Sequence, residues 1–116
     1  MSKYIRTIDE IYELNNDVYV ENNEAFMRWF NGSGKEIEPT CLGKVIKQSD
    51  TIEELCDEFV VAFEENNDKI TYIDLDWARD KAKRYAGHTT IYGAVWCEWG
   101  LKYVAKLNEN GELVLI

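Results

Sequence analysis

Residues 89–116 constrain the fold of this chain most. Thr89-Thr90-Ile91-Tyr92-Gly93-Ala94-Val95-Trp96-Cys97-Glu98 is rich in β-branched and aromatic residues, and Trp99-Gly100 follows as a turn. Leu101, Tyr103, Ala105 and Leu107 then alternate with Lys102, Val104 and Lys106, the period of a half-buried strand. Asn110-Gly111 is a strong hairpin signal and leads into Glu112-Leu113-Val114-Leu115-Ile116. The expectation is a three-stranded C-terminal meander in which Trp96, Tyr103 and Leu107 build core and perform no chemistry.

Upstream, Lys3–Thr7 and Ile11–Leu14 predict a hairpin, with Ile8-Asp9-Glu10 as its turn. Val18–Val20 and Ala25–Phe30 continue as strands between Asn-rich turns. Asn31–Lys35 reads as an exposed loop, Pro39 extends the irregular stretch, and Lys44–Lys47 is a short strand. At Ser49-Asp50-Thr51-Ile52-Glu53-Glu54 either Ser49 or Asp50 can cap a helix, and Asp50 with Glu53 has capping-box spacing. A two-turn helix over 51–57 followed by a strand over 58–64 is favoured. The competing reading continues the helix to about 64 through Leu55, Phe59 and Phe63. Asn66-Asn67-Asp68 then turns the chain into Lys69–Ile73. A second helix, 77–86, is capped by Asp74 or Asp76, carries an apolar stripe of Ala78, Ala82, Tyr85 and Ala86 with Trp77 beside it, and ends at Gly87. The predicted class is α+β: one domain, 1–116, with a curled antiparallel sheet of about six or seven strands and two short helices.

Four Trp, seven Tyr and four Phe among 116 residues support an ordered core and argue against disorder. The longest apolar run, Phe59–Phe63, is far short of a membrane span, and the first residues carry no apolar stretch of signal-peptide length. Cys41, Cys56 and Cys97 are odd in number and widely spaced, which predicts reduced, buried thiols and a cytoplasmic location.

Charge is the other informative property. The net charge is −9, and residues 1–75 hold 17 of the 22 acidic groups but only 7 of the 13 basic ones. Such a surface repels phosphate backbones, so direct nucleic-acid binding is disfavoured and a protein partner with a basic surface is easier to accommodate. The candidate binding residues are therefore the charged ones. They comprise the acidic set Glu53, Glu54, Asp57, Glu58, Glu64, Glu65 and Asp68, and the helical cations Arg79, Lys83 and Arg84. A solvated helix face and a polar turn would account equally for the acidic set. Gly32-Ser33-Gly34-Lys35 fails as a phosphate loop, because Trp29 and Glu36 stand where Gly and Ser or Thr are required. The single histidine, His88, has no Cys-x-x-Cys pair to complete a zinc site, and no nucleophile–base set is evident. Neither an enzyme nor a cofactor is predicted.

Three stretches together carry a resemblance: Tyr4–Thr7 with Ile11–Glu13, Ile46–Val61, and Ile91–Trp96 with Gly100–Lys106. They are similar to small uncharacterised proteins encoded by phages and prophages of low-GC Gram-positive bacteria. The resemblance implies a phage or mobile-element accessory protein in the host cytoplasm that binds a host or phage protein, with no activity to carry over. Two alternatives accompany that reading. One is an acidic nucleic-acid mimic that inhibits a defence nuclease. The other is a nucleotide or small-molecule sequestration protein with an aromatic pocket and Arg79 or Arg84 at a phosphate.

Overall fold

A computed structural model describes residues 2–65, 67–85 and 88–116. Among the described residues, eleven strands form three antiparallel sheets. The chain begins with β1 (Tyr4–Arg6) and β2 (Ile11–Glu13), which β6 (Lys47–Ser49) completes in the order β2-β1-β6. A second sheet holds β3 (Val18–Glu21), β4 (Glu24–Phe30) and β5 (Glu36–Lys44) in sequence order. The largest contains β7 (Glu58–Phe63), β8 (Lys69–Tyr72), β9 (Thr89–Cys97), β10 (Gly100–Leu107) and β11 (Leu113–Leu115), ordered β11-β10-β9-β7-β8. Strands take 53% of the described residues and helical turns 11%, so the predicted single curled sheet with two helices is corrected to three sheets and, among the described residues, one α-helix. The C-terminal strands do pair in order, as one edge of the five-stranded sheet.

The missing helix is the one expected over 51–57. Only a 3-10 turn forms, at Glu53–Leu55, with no side-chain cap from Asp50. Ser49 Oγ receives the Thr51 amide at 3.2 Å and donates to Glu54 Oε2 at 2.6 Å, which satisfies the turn locally. The chain cannot continue helically because its next residues are claimed elsewhere. Leu55 is fully buried, Asp57 receives the Trp96 amide at 2.8 Å, and Glu58 already pairs across from Ala94. Tertiary bonds there outweigh a weak local propensity.

The helix that does form, α1 (Leu75–Lys83), starts two residues before its predicted position. Asp74 is its cap and accepts the Asp76 amide at 2.8 Å. Leu75 and Ala78 pack on Phe59, Val61 and Ile91, one side of the five-stranded sheet. The helix ends at Lys83 with Arg84 as its C-cap, short of the predicted end at Ala86; Ala86, Gly87 and Asn66 lie outside the described residues.

Beside this cluster, Ile11, Ile52, Leu55, Val95, Val104 and Ala105 join the first sheet to the same side of the large one. A register shift between Tyr103 and Ala105 turns both Val104 and Ala105 inward. The core is aliphatic apart from Phe59. Trp96, expected inside, is exposed, and Tyr103 is half-buried with its ring stacked on Tyr92 at 4.7 Å. The sheet also curls strongly, since Lys69 on the β8 edge reaches to 5.3 Å from the Tyr103 ring three strands away.

The β3-β4-β5 sheet explains the shape. The molecule measures 52 × 28 × 28 Å, with a radius of gyration of 16.5 Å against about 13 Å for a compact chain of this size. This sheet is anchored only at its base, where Ala25 packs with Ile5 and Val45. Strand β5 was expected to be irregular because of Pro39. The sheet admits it at an edge: Glu38 and Pro39 together oppose Arg28, a bulge in which proline's missing amide costs no ladder bond.

Candidate functional site

The acidic residues singled out by sequence do not form one surface. Glu53 and Glu54 lie on the turn before β7, whereas Glu64, Glu65 and Asp68 lie beyond its other end. Six residues of strand separate the groups by roughly 20 Å. Asp57 is withdrawn from any such surface. Its two oxygens take a fork from Arg6, at 2.5 and 2.7 Å, and one of them also takes the Trp96 amide. Burial pushes this carboxyl up, but the bonds from Arg6 and Trp96 and the Arg6 charge outweigh it and hold the group below its usual range. The pair ties the first sheet to the third and is structural. Glu58 sits half-buried within β7, and Glu64 receives the Thr90 hydroxyl at 3.3 Å.

The helical cations are similarly occupied. Arg79 donates to the Gly111 carbonyl at 2.8 Å and lies 3.7 Å from Asp76, while Arg84 pairs with Asp80 at 2.9 Å. Lys83 is exposed on the last turn. None of these three is brought together with the acidic set.

The structure instead displays its indoles, among them Trp96, which the sequence assigns to the core. All four tryptophans are at the surface: Trp29, Trp77, Trp96 and Trp99 are 47%, 70%, 52% and 91% exposed. Each has a local cause. Trp29 lies toward the tip of the projecting sheet, with its indole N–H on Thr40 Oγ1 at 2.6 Å. Trp96 is on the side of β9 away from the core, because its neighbour Val95 points inward. Trp99 occupies the β9–β10 turn. Trp77 is carried by the first turn of α1.

Trp77 also walls a cleft. With Tyr72, Ile73 and Asp74 it encloses about 340 Å³ at the junction of β8 and α1. Its surface is almost wholly apolar, and Ile73, 84% exposed, forms the outer lip. Sequence reasoning missed this site because it began the helix at Trp77 and set that residue directly beside the apolar stripe of Ala78, Ala82, Tyr85 and Ala86. The signal was present: at about 100° per residue, Trp77 falls more than about 100° from the line of Leu75, Ala78 and Ala82.

The thiols differ from expectation too. Cys41 is exposed, its Sγ 3.3 Å from Glu24 Oε2, whereas Cys56 and Cys97 are partly buried. Burial pushes the Cys56 thiol up to about 12, so it is protonated at neutral pH and a poor nucleophile. Among the described residues no three His, Cys, Asp or Glu side chains converge as a metal site, and no helix is long and apolar enough to cross a membrane.

No family model matches this chain, and no curated protein or solved structure gives a match.

Proposed function

We propose that the chain is a non-enzymatic accessory protein of a phage or mobile element, acting in the bacterial cytoplasm by binding a protein partner through its exposed tryptophans. The observation that carries this is the inversion of the usual arrangement. A core of Ile, Val, Leu and Ala with Phe59 forms without a single Trp, while all four Trp face outward. Exposed indoles lose the free energy of burial unless something covers them, and Trp is the residue most enriched where binding energy concentrates. The phage origin rests on the sequence resemblance.

The acidic-mimic alternative has less support, since its carboxylates fall into two groups and Asp57 serves Arg6. The phosphate-binding version of the small-molecule alternative would need Arg79 or Arg84, which are turned to Gly111 and Asp80.

The test is affinity capture from a bacterial lysate with wild type and four single variants, Trp29→Ala, Trp77→Ala, Trp96→Ala and Trp99→Ala. Each variant should keep its Tm, and at least one should lose a partner that wild type retains. Retention of every captured protein by all four variants would overturn the reading.

A further inference from the structure

We propose that the open edge of β11 pairs with the same edge of a second copy of this chain, joining two five-stranded sheets into one across a two-fold axis at Val114. This surface is separate from the tryptophans, and the inference does not rest on them. Among the described strands β11 has β10 as its one neighbour, so its far side is a sheet edge. Two bonds fix which backbone groups face where: Asn108 N–H to the Glu112 carbonyl at 2.8 Å, and Ile116 N–H to the Val104 carbonyl at 3.1 Å. With Lys106 opposite Val114, residues 112, 114 and 116 turn their N–H and C=O groups toward β10. Leu113 and Leu115 therefore turn theirs the other way, so each offers a donor and an acceptor along the open edge.

Every other edge strand carries a guard against such pairing. Charged residues stand in β2 (Glu13), β6 (Lys47), β3 (Glu21) and β8 (Lys69), and β5 has Pro39 in its bulge. Strand β11 is Leu113-Val114-Leu115, with no charge, proline or bulge. Symmetry argues for the occupant. With Val114 set opposite Val114, Leu113 of each copy stands across from Leu115 of the other, and every outward donor meets an acceptor. Val114, 43% exposed, then faces its own equivalent at the close position of the ladder, where β-branched side chains pair well. Glu112 falls across from Ile116 of the other copy, so the two Glu112 carboxylates do not face each other. Backbone bonds alone would accept any strand, whereas the uncharged side chains select an equally uncharged one, which a second copy supplies in matching register. The edge is short, so the contact belongs with the small, weak interfaces. The −9 on each copy opposes approach at long range, and salt should therefore strengthen the dimer, the reverse of its effect on a basic partner.

The experiment is sedimentation velocity of the full chain from about 10 μM to about 1 mM, the range suited to a weak contact, with amide exchange followed by NMR. The sedimentation coefficient should rise toward that of a dimer with concentration. The dissociation constant should fall at least about threefold between about 0.02 M and about 0.5 M salt, as screening removes the repulsion between copies. Under dimer-forming conditions the Leu113 and Leu115 amides should exchange more slowly, while Val114, already turned to β10, should change little. Val114→Lys sets like charges face to face and should abolish the dimer with Tm unchanged, even though it lowers each copy's net negative charge. Val114→Thr, neutral and β-branched, should dimerise within about twofold of wild type. A chain that stays monomeric at about 1 mM in high salt, a dimer that survives Val114→Lys, or protection confined to other strands would overturn the inference. If Val114→Lys fails to fold, the alternation of exchange along β11 in wild type decides the matter. Protection of Leu113 and Leu115 that appears only when another protein is added would assign the edge to a foreign strand and overturn it equally.

Discussion

Strands β4 and β7 are of similar length, and each lies at an interior position of its sheet, yet they are held in different ways. In β7, Phe59, Val60 and Val61 are buried in succession, because α1 covers one side of its sheet and the sheet curls over the other. In β4 only Ala25 is buried, and exposure rises along the strand to Phe30. What orders the projecting sheet is contact between its own strands. Tyr19 stacks on Phe26 at 5.5 Å, Arg28 lies 4.3 Å over the Tyr19 ring, and Trp29 bonds Thr40. Each such cross-strand pair contributes roughly 0.2–1 kcal/mol. Pairing strands and covering them are therefore separate achievements in this molecule, and only the second makes a core.

The contrast can be broken most forcefully in the body. Leu55→Ala should cost about 3–4 kcal/mol in urea unfolding, since a fully buried leucine is removed where two sheets meet. A loss below about 1 kcal/mol would mean the aliphatic cluster is not what joins those sheets.

Asp57→Ala should cost about 3 kcal/mol by leaving the Arg6 guanidinium buried without its carboxylate. The pH dependence follows from the depressed carboxyl. Its folded value lies below its unfolded one, so its stabilisation is present above the unfolded value and disappears as pH falls through the folded one. The stability difference between wild type and Asp57→Asn should thus be flat near neutrality and shrink below about pH 4. A difference unchanged down to pH 2 would contradict the role given to this pair.

Gly93→Ala ranks next, at about 2 kcal/mol. A Cβ there would stand 2.6 Å from Cys56 Sγ and 3.3 Å from the Ala105 Cβ, so the sheet must shift. Repeating the change in a Cys56→Ala background should recover a good part of the loss. Failure to do so would point to backbone strain instead of the sulfur contact.

Trp29→Ala should have the smallest global effect, under about 0.5 kcal/mol. Its signature should be local: faster amide exchange in β4 and β5, with β7 and β9 unchanged. If protection in β7 fell equally, the two sheets would be one cooperative unit and the comparison drawn here would not hold.

Much of the strand inventory was legible because its signals are short-range. Alternation and the Asn110-Gly111 turn define the C-terminal strands, and Asp74 marks the start of α1. Phe59–Phe63 proved a strand, as favoured, because its β-branched centre suits a site covered on both sides. The errors share a cause. Asp50 and Glu53 spell a helix start, but Asp57 is held by Arg6, distant by 51 residues in sequence, and the turn stops. Pro39 spells a loop, but a bulge opposite Arg28 absorbs it.

The candidate site was the least legible part. Sequence reasoning moved attention to carboxylates, most of which prove dispersed or structurally engaged, and assigned Trp96 to the core. Whether an indole faces in or out depends on which side of its strand or helix another layer covers. That is set by contacts between segments far apart along the chain.

The sequence by itself determined most of the extended segments, where many of them turn, and that the chain is acidic. Each of these depends on residues within a few positions of one another or on composition alone. Only the tertiary structure decided that the strands divide among three sheets, that one of these projects nearly uncovered, and that all four tryptophans face outward. The reason is physical: burial belongs to a pair of packed surfaces, and no single segment carries the information about what will lie against it.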